Sequence, residues 1–250
     1  MDLFADSEQP LLPFTIPSEI KSSWHWDKER KVFKVLIPNG VLFYSRNFFS
    51  KDLSDRALEY FTENDTFDTN YQNWSEVSTE QLQNINFANI NWKQDTINIY
   101  GKVSALPRLT AWYGDAGRSY NYSGINSNPS PWNKGLLHIK SLIENVTSAK
   151  FNSVLLNWYR SGDDHLGWHA DNEKELGINP TIGSVNLGET RDFILRRDDD
   201  PSAKITIPLE HGSLLIMHGE MQHFWQHSVP KRKRIKGSRI NLTFRLIRDD

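Results

Sequence analysis

The chain has 250 residues, a formal net charge of -2 and no cysteine. Without thiols it cannot form disulfides, zinc ribbons, iron–sulfur clusters or a cysteine nucleophile. A hydrophobic content of 38% with nine Trp and thirteen Phe can build a large core, yet no apolar run approaches the roughly 20 residues that cross a bilayer.

Residues 1–94 are predicted to form an N-terminal α/β extension. Residues 1–20 are rich in proline and polar residues, which favours a loose tail. Val32 to Phe49 predicts two short strands separated by Pro38-Asn39-Gly40, and Ser50 is the predicted N-cap of a following helix. Residues 64–94 contain many Asn and Gln with little periodicity, so they predict a lid or an irregular linker.

Residues 95–250 have the pattern of a β domain. A strand is predicted at 96–100, and Pro131 is the predicted start of a helix. Short predicted strands follow at 151–159, 181–187, 192–197, 204–209, 212–218 and 239–247, and a hairpin tip is expected at 219–222. The predicted fold is mainly β with flanking helices, with a double-stranded β-helix (jelly-roll) core in residues 95–250.

Positive charge is concentrated near the end of the chain. From His227 to Arg248 there are eight Lys or Arg and no Asp or Glu, which leaves 29 − 8 = 21 basic and 31 acidic residues elsewhere, a balance of -10. A concentrated basic patch on an acidic protein is typical of a phosphate-binding surface. The alternative interpretation is a solvated loop.

His169-Ala170-Asp171 is the strongest candidate for a metal site. Alternate residues of a strand point the same way, so an imidazole and a carboxylate can share one face. With His227 from a later strand they predict the two-His, one-carboxylate facial triad of non-haem Fe(II) oxygenases. His165 and His169 have the spacing of a helical zinc pair, but the preceding Ser161-Gly162-Asp163-Asp164 disfavours a helix. His218 and His223 are the alternative third ligands.

The last predicted strand alternates between polar and apolar residues. Arg239, Asn241, Thr243 and Arg245 share one face, and Leu242, Phe244 and Leu246 are expected to fill the core from the other. A 2-oxo acid bound to iron needs a cation for its distal carboxylate, and the planar fork of arginine suits a carboxylate. The alternative is an edge strand with its charges in solvent.

These residues together resemble one family. Asn157-x-Tyr159-x-x-Gly162-x-Asp164, His169-x-Asp171, His227 and Arg239-x-Asn241-Leu242-Thr243-Phe244-Arg245 are similar to the AlkB family of Fe(II)- and 2-oxoglutarate-dependent dioxygenases. The resemblance runs from about Asp95 to Ile247. It implies that His169, Asp171 and His227 bind Fe(II), with 2-oxoglutarate and O2 as cosubstrates. It also implies a 2-oxoglutarate site formed by Asn157, Tyr159, Arg239, Asn241 and Arg245.

The resemblance extends to a substrate side. Tyr100 and Arg108 resemble residues of the family's nucleotide-recognition lid, and Tyr120, Tyr122 and Ser123 resemble its base-binding loop. A base must leave its stack to reach buried iron; Tyr122 could then stack on it opposite His169, and Tyr100 could act as a wedge. The Glu173 carboxylate would favour cationic lesions, and phosphates would be contacted by Lys231, Arg232, Lys233 and Arg234. Asn172 departs from the branch's pattern, because an acid is common there.

The expected function is oxidative demethylation of N-alkylated bases, such as 1-methyladenine and 3-methylcytosine, in DNA. The alternatives are the same iron chemistry on RNA or a protein side chain, or a non-catalytic nucleic-acid-binding module. We expect a monomer whose partner is alkylated DNA, with no membrane partner. The expected compartment is the cytoplasm of a bacterium or the nucleus of a eukaryote.

Overall fold

The structure is a computed structural model of the chain. It describes residues 10–68, 73–99, 102–117, 120–122 and 125–248, with the backbone alone at 97–99, 102–103, 120–122 and 125–127. Among these residues, the helices are all too short or too polar to cross a membrane.

Strands dominate the described residues. In chain order they are β1 (Ser23–Asp27), β2 (Val32–Ile37), β3 (Gly40–Ser45), β4 (Thr96–Ile99), β5 (Lys102–Ala105), β6 (Leu109–Gly114), β7 (Tyr120–Tyr122), β8 (Ile125–Ser127), β9 (Ser130–Pro131), β10 (Ser153–Tyr159), β11 (Leu166–His169), β12 (Ile182–Gly188), β13 (Arg191–Arg197), β14 (Lys204–Leu209), β15 (Leu214–His218), β16 (Trp225–Val229) and β17 (Arg239–Arg245). The α-helices are α1 (Lys51–Thr62), α2 (Thr79–Gln83), α3 (Lys134–Thr147) and α4 (Met221–Phe224).

Two sheets form the framework. The large sheet has nine strands in the order β1-β2-β3-β15-β12-β17-β10-β6-β9, and the small sheet has four in the order β11-β16-β13-β14. Alternate residues of each large-sheet strand point to opposite faces. One face packs against helices and the other packs against the small sheet. This arrangement confirms the predicted jelly-roll core with flanking helices.

The helix side of the large sheet carries one hydrophobic core. Val154, Leu156 and Trp158 of β10 lie in it beside Leu136 and Ile143 of α3.

α1 begins after Ser50, whose hydroxyl accepts a hydrogen bond from the Leu53 amide at 3.3 Å, so the predicted N-cap is confirmed. α3 begins at Lys134 rather than at Pro131. The Asn133 side chain accepts from the Leu136 amide there and caps the helix, whereas Pro131 ends the short β9.

The segment from residue 73 to 94 packs into this same core, so the prediction of a lid or linker is wrong for it. Trp74, Val77, Leu82 and Ile90 are buried. The Trp74 ring meets the Trp158 ring edge-on, with centroids 4.7 Å apart. The buried residues of this segment are spaced irregularly along the chain. Their spacing matches neither a helical nor a strand period, so the sequence pattern does not reveal their burial.

A second hydrophobic core lies between the two sheets. Phe14 and Ile20 belong to it, and the Phe14 ring lies edge-on to Tyr44 with centroids 5.5 Å apart. The prediction of a loose tail is therefore wrong for this part of residues 1–20. β1, β2 and β3 also belong to the large sheet, where β3 pairs with β15. Large-sheet strands thus lie on both sides of the boundary at 94/95, and that domain division stays a prediction.

Candidate functional site

Three predicted metal ligands meet between the two sheets. β11 and β16 pair so that His169 lies directly opposite His227, with ring centroids 4.1 Å apart. Asp171 Oδ2 lies 3.9 Å from His227 Nε2. One ligand atom from each residue lies within 4.8 Å of the others. Two imidazoles and a carboxylate at this spacing can hold one metal ion from one side.

A backbone carbonyl sets the tautomer of His169. Its Nδ1 lies 2.9 Å from the Gly167 carbonyl oxygen. Because a carbonyl can only accept, Nδ1 carries the proton and donates it. The other ring nitrogen, Nε2, then keeps its lone pair, which is the form that a metal binds.

His227 is buried against an aromatic ring. Its side chain is buried, and the Phe193 ring stacks on it at 5.1 Å between centroids. Burial, helped by the nearby His169, lowers the pKa of His227 to about 3. The imidazole is therefore neutral at physiological pH, as metal binding requires.

Asp171 is buried and ionised. Burial alone would raise its pKa, but the positive charge of Arg245 and the hydrogen bond that it donates outweigh that effect and lower the pKa to about 2. Arg245 Nη2 donates to Asp171 Oδ1 at 2.7 Å. Asp171 Oδ2 is buried without a hydrogen-bond partner. A divalent cation would satisfy this oxygen, so the donor set fits a metal.

Gln222 is a buried site residue that the sequence analysis missed. Its Oε1 accepts a hydrogen bond from the Asp171 backbone amide at 2.9 Å, and its side chain is only 2% exposed. It lies in the short helix α4, where the sequence predicted a hairpin tip. A single buried amide has no period or spacing, so no sequence pattern could identify it.

Arg239 is a buried cation next to the triad. It is 2% exposed, and Nη2 donates to Asn186 Oδ1 at 2.6 Å. Its guanidinium carbon lies 5.0 Å from the centre of the Tyr159 ring. Nε and Nη1 are buried without hydrogen-bond partners. Burial lowers the pKa of Arg239 to about 10, so the group stays charged at neutral pH. A buried guanidinium with two open N–H groups fits a carboxylate ligand.

β17 supplies the polar face predicted for it. Arg239, Asn241, Thr243 and Arg245 line the same pocket as the triad. Ile240, Leu242 and Phe244 lie in the helix-side core. The prediction that Leu246 fills the core is wrong, because β17 ends at Arg245 and Leu246 is 38% exposed. The buried Ile247 belongs instead to the core between the sheets.

Three asparagine side chains form an amide row across the strands at the pocket, and two of them, Asn157 and Asn241, line it. Asn157, Asn241 and Asn186 lie in register on three adjacent strands. Asn241 Nδ2 donates to Asn186 Oδ1 at 3.1 Å and to Ser184 Oγ at 2.8 Å. The predicted 2-oxoglutarate residues therefore lie together around one pocket, which Ser184 also lines, and Asn186 supports Arg239 and Asn241 through its side-chain oxygen.

A family model described as the 2OG-Fe(II) oxygenase superfamily matches residues 42–245, which is more than half of the chain. The chain belongs to this superfamily. Its cofactor and cosubstrates are Fe(II), 2-oxoglutarate and O2, and the triad and Arg239 fit the first two.

Within the superfamily, the chain is similar to AlkB-type proteins, as the sequence predicted. Human "DNA oxidative demethylase ALKBH2" is 42% identical over 158 residues, which are 60% of this chain and 60% of the human protein. Human "Alpha-ketoglutarate-dependent dioxygenase alkB homolog 3" is 42% identical over 168 residues, 64% of this chain and 58% of that protein. The chain thus spans about three fifths of the length of these relatives.

A solved structure supports the fold. "The structure of OsALKBH1" superposes with a TM-score of 0.52 and covers 84% of this chain and 98% of its own. Its sequence identity is 16%, so this likeness concerns the fold alone.

Two of the predicted substrate residues lie close to the oxygenase pocket. Arg108 is only 3% exposed, and its Nε donates to Asn157 Oδ1 at 2.8 Å. Because it is buried, the Arg108 side chain can contact only a substrate group that enters the protein interior. Glu173 lies two residues after Asp171, and its Oε2 is buried without a hydrogen-bond partner. A donor on a bound substrate would satisfy that oxygen.

The predicted lid and base-binding loop fall largely outside the described residues. Tyr100 and Ser123 lie outside them. Tyr120 and Tyr122 belong to β7, which pairs with β8, and only their backbone is described. The roles of these four residues stay predictions.

The predicted basic run forms a loop between β16 and β17. Lys231, Lys233 and Arg234 are exposed. Arg232 differs, because its Nε donates to Asp192 Oδ2 at 2.7 Å and its amide donates to the Gly162 carbonyl at 2.7 Å. A Cβ on Gly162 would overlap the Arg232 carbonyl, so this close approach requires glycine.

Arg191 fixes the start of the basic loop. It is 1% exposed and donates to the backbone carbonyls of Pro230, Asp164 and Ser161 at 2.7, 2.9 and 3.0 Å. Asp164 itself is held by Arg160 through two side-chain hydrogen bonds. The Gly162 and Asp164 motif therefore anchors the basic loop beside the oxygenase pocket.

Proposed function

We propose that the chain is an Fe(II)- and 2-oxoglutarate-dependent enzyme that removes alkyl groups from bases of DNA. One observation carries the proposal: a buried two-His, one-carboxylate triad lies in the same pocket as Arg239, a buried cation with two unpartnered N–H groups. Superfamily membership and the names of the 40–45% identical relatives support both the chemistry and the substrate.

His169, Asp171 and His227 would hold the iron, and Arg239 would pair with the distal carboxylate of 2-oxoglutarate. Bound there, iron and 2-oxoglutarate supply oxidation by O2, in which 2-oxoglutarate becomes succinate and CO2 and the alkyl carbon gains a hydroxyl group. The hydroxylated carbon then leaves the base nitrogen as an aldehyde, and the nitrogen regains its normal valence.

The chain's own residues orient these reactants. Asp171 is kept ionised by Arg245, and His169 is oriented by the Gly167 carbonyl. The amide row and Tyr159 shape the 2-oxoglutarate side of the pocket. The buried Glu173 oxygen would accept a hydrogen bond from the alkylated base, and its charge would favour cationic lesions.

The basic loop supports nucleic acid as the substrate. Lys231, Lys233 and Arg234 are exposed cations without acidic partners among the described residues. Lysine and arginine contacts to phosphates give affinity without reading sequence. The loop is anchored at Gly162 and Arg191 beside the pocket, so bound phosphates would lie near the reacting base.

Product analysis on matched oligonucleotides tests the function. Each oligonucleotide carries one 1-methyladenine or 3-methylcytosine in single-stranded DNA, double-stranded DNA or RNA. We expect loss of the methyl group on DNA with stoichiometric succinate, and no loss with the His227→Ala variant. Turnover on RNA alone would move the substrate to RNA. Turnover on none, with 2-oxoglutarate still consumed, would remove nucleic acid as the substrate.

A further inference from the structure

The outer surface of the small sheet carries an exposed aromatic residue beside a metal ligand. Trp168 precedes His169 in β11, whose pairing with β16 is irregular between Leu166 and His169. His169 lines the pocket between the sheets, whereas Trp168 does not line it and is 37% exposed. β11 is an edge strand of the small sheet, which leaves this side of Trp168 open.

A fixed guanidinium lies against one face of this indole. The guanidinium carbon of Arg196 in β13 lies 4.1 Å from the centre of the Trp168 ring. Gln226 of β16 lies between the two strands and is in register with Arg196. Its Oε1 accepts from Arg196 Nε at 3.0 Å and from Nη2 at 2.6 Å. The amide therefore holds the arginine against the tryptophan ring.

No carboxylate among the described residues pairs with Arg196. Its cross-strand neighbour in β14 is Lys204, which is exposed. Asp192, on the same face of β13, is neutralised by Arg232 of the basic loop. This surface thus presents a supported aromatic ring with two cations, Arg196 and Lys204, on one side of it, which suits a base and the phosphate next to it.

We infer that Trp168 and Arg196 form a stacking platform for a nucleotide next to the alkylated base, and that the substrate is single-stranded at this position. The inference rests on the proposed function. A base within a duplex is already stacked on both sides, so its face is not available to an exposed indole. A base in a single strand has a free face, and stacking on an aromatic side chain tolerates any sequence.

Binding of a labelled, unmethylated oligonucleotide to the full chain tests the platform. We expect Trp168→Ala to weaken binding of the single strand by about 5- to 150-fold, the range for loss of one stacked base. Binding of the matched duplex should change by less than about twofold, because a duplex offers no free face to stack. Trp168→Phe should retain most of the single-strand affinity, and Arg196→Gln should reproduce part of the loss.

Trp24→Ala is the matched control, because Trp24 is 39% exposed and lies on β1 at the far edge of the large sheet. Equal losses in Trp24→Ala and Trp168→Ala, or equal losses on single strand and duplex, would overturn the platform. So would an unchanged affinity of Trp168→Ala for the single strand.

A second readout separates this inference from the proposed function. If the wild type demethylates a methylated oligonucleotide better than a methylated mononucleotide, Trp168→Ala should lose that advantage and keep its rate on the mononucleotide. If the wild type demethylates neither substrate, the proposed function is contradicted. The binding measurements alone then test the platform. A wild type that demethylates both, with Trp168→Ala identical to it, overturns the platform alone.

Discussion

Arg239 is the residue on which the 2-oxoglutarate assignment depends. Arg239→Ala should raise the 2-oxoglutarate concentration needed for half-saturation sharply, because breaking a buried charge pair costs on the order of 3–5 kcal/mol. Arg239→Lys should restore only part of the affinity, since an ammonium cannot reproduce the two parallel hydrogen bonds. Calorimetric titration of the metal-loaded protein with 2-oxoglutarate measures both.

The control for this titration is Arg46→Ala, because Arg46 is an exposed arginine paired with Glu210 away from the pocket. It should bind 2-oxoglutarate like the wild type. Unchanged affinity in Arg239→Ala would move the distal carboxylate to Arg245.

Gln222 should act on the metal without touching it. Gln222→Leu removes the acceptor of the Asp171 amide, so the carboxylate loses its orientation, and we expect about 10- to 100-fold weaker metal binding. Gln222→Glu keeps an oxygen at that position and should restore part of the affinity. Titration of the metal-free protein with Fe(II) under nitrogen measures the change.

His223→Ala is the matched variant on the same helix, because His223 is exposed and contacts the Ile178 carbonyl instead. Its metal affinity should equal that of the wild type. Weak metal binding in His223→Ala together with normal binding in Gln222→Leu would contradict the site and make His223 the third ligand.

The basic loop acts as one element, but its four cations are not equivalent. We expect Lys231→Ser, Lys233→Ser and Arg234→Ser combined to weaken DNA binding similarly for all sequences. Because each lost duplex phosphate contact removes about 0.9 from the salt slope, the triple variant should lose up to about 2.7. Arg232→Ser should change the slope less, since Asp192 already neutralises Arg232.

Binding measured over a range of salt concentrations gives these slopes. A triple variant of Lys21, Lys28 and Arg56, which are exposed elsewhere, is the charge-matched control. If both triple variants lose the same slope, the loop has no special role and overall charge alone governs binding.

Strands are predictable from the sequence where polar and apolar residues alternate regularly. β10, β12, β13, β14 and β17 lie within about two residues of their predicted bounds, because buried strands with one polar face have a clear period of two. Leu246 was misplaced because the alternation continues by chance past the last paired residue, Arg245. Trp74 and Ile90 were missed because irregular segments bury side chains at no fixed interval.

The candidate site was predictable where residue type and spacing coincide. His169, Asp171, His227 and Arg239 each combine a chemical type with a strand position, and the structure brings them into one pocket. Gln222 supports the site through one contact to a backbone amide, and Arg191 supports it through three contacts to backbone carbonyls. Such contacts depend on how distant segments meet, so nothing in the local sequence distinguishes these residues from other buried polar ones.

For the whole molecule, the buried imidazole predicts how stability depends on pH. The folded-state pKa of His227 is about 3, below the ordinary value of 6.5. Between these values the unfolded chain binds a proton that the folded chain does not. The free energy of unfolding of the metal-free protein should therefore be fully present above pH 6.5 and fall as the pH drops toward 3. Asp171 acts in the same direction between pH 3.8 and about 2.

Urea unfolding of the metal-free wild type and of His227→Asn at pH 7 and pH 5 measures the effect. The wild type should lose more free energy of unfolding than the variant between these two values. Equal losses in the two proteins would mean that His227 is protonated in the folded state or that other groups account for the whole pH dependence.

The two faces of the large sheet differ in chemistry, because one packs in an apolar core and the other lines the polar pocket. In β17 this difference restricts which changes of sequence the strand can accept. A one-residue insertion or deletion within β17 would exchange the two faces of the residues on one side of it. After such a change between Arg239 and Ile240, for example, Asn241 and Arg245 would turn toward the helix-side core, and Leu242 and Phe244 would turn toward the pocket. A change of length in this strand is therefore more disruptive than a single substitution, because it displaces several buried side chains at once. Length variation that retunes which lesion is accepted has to come from the connecting loops.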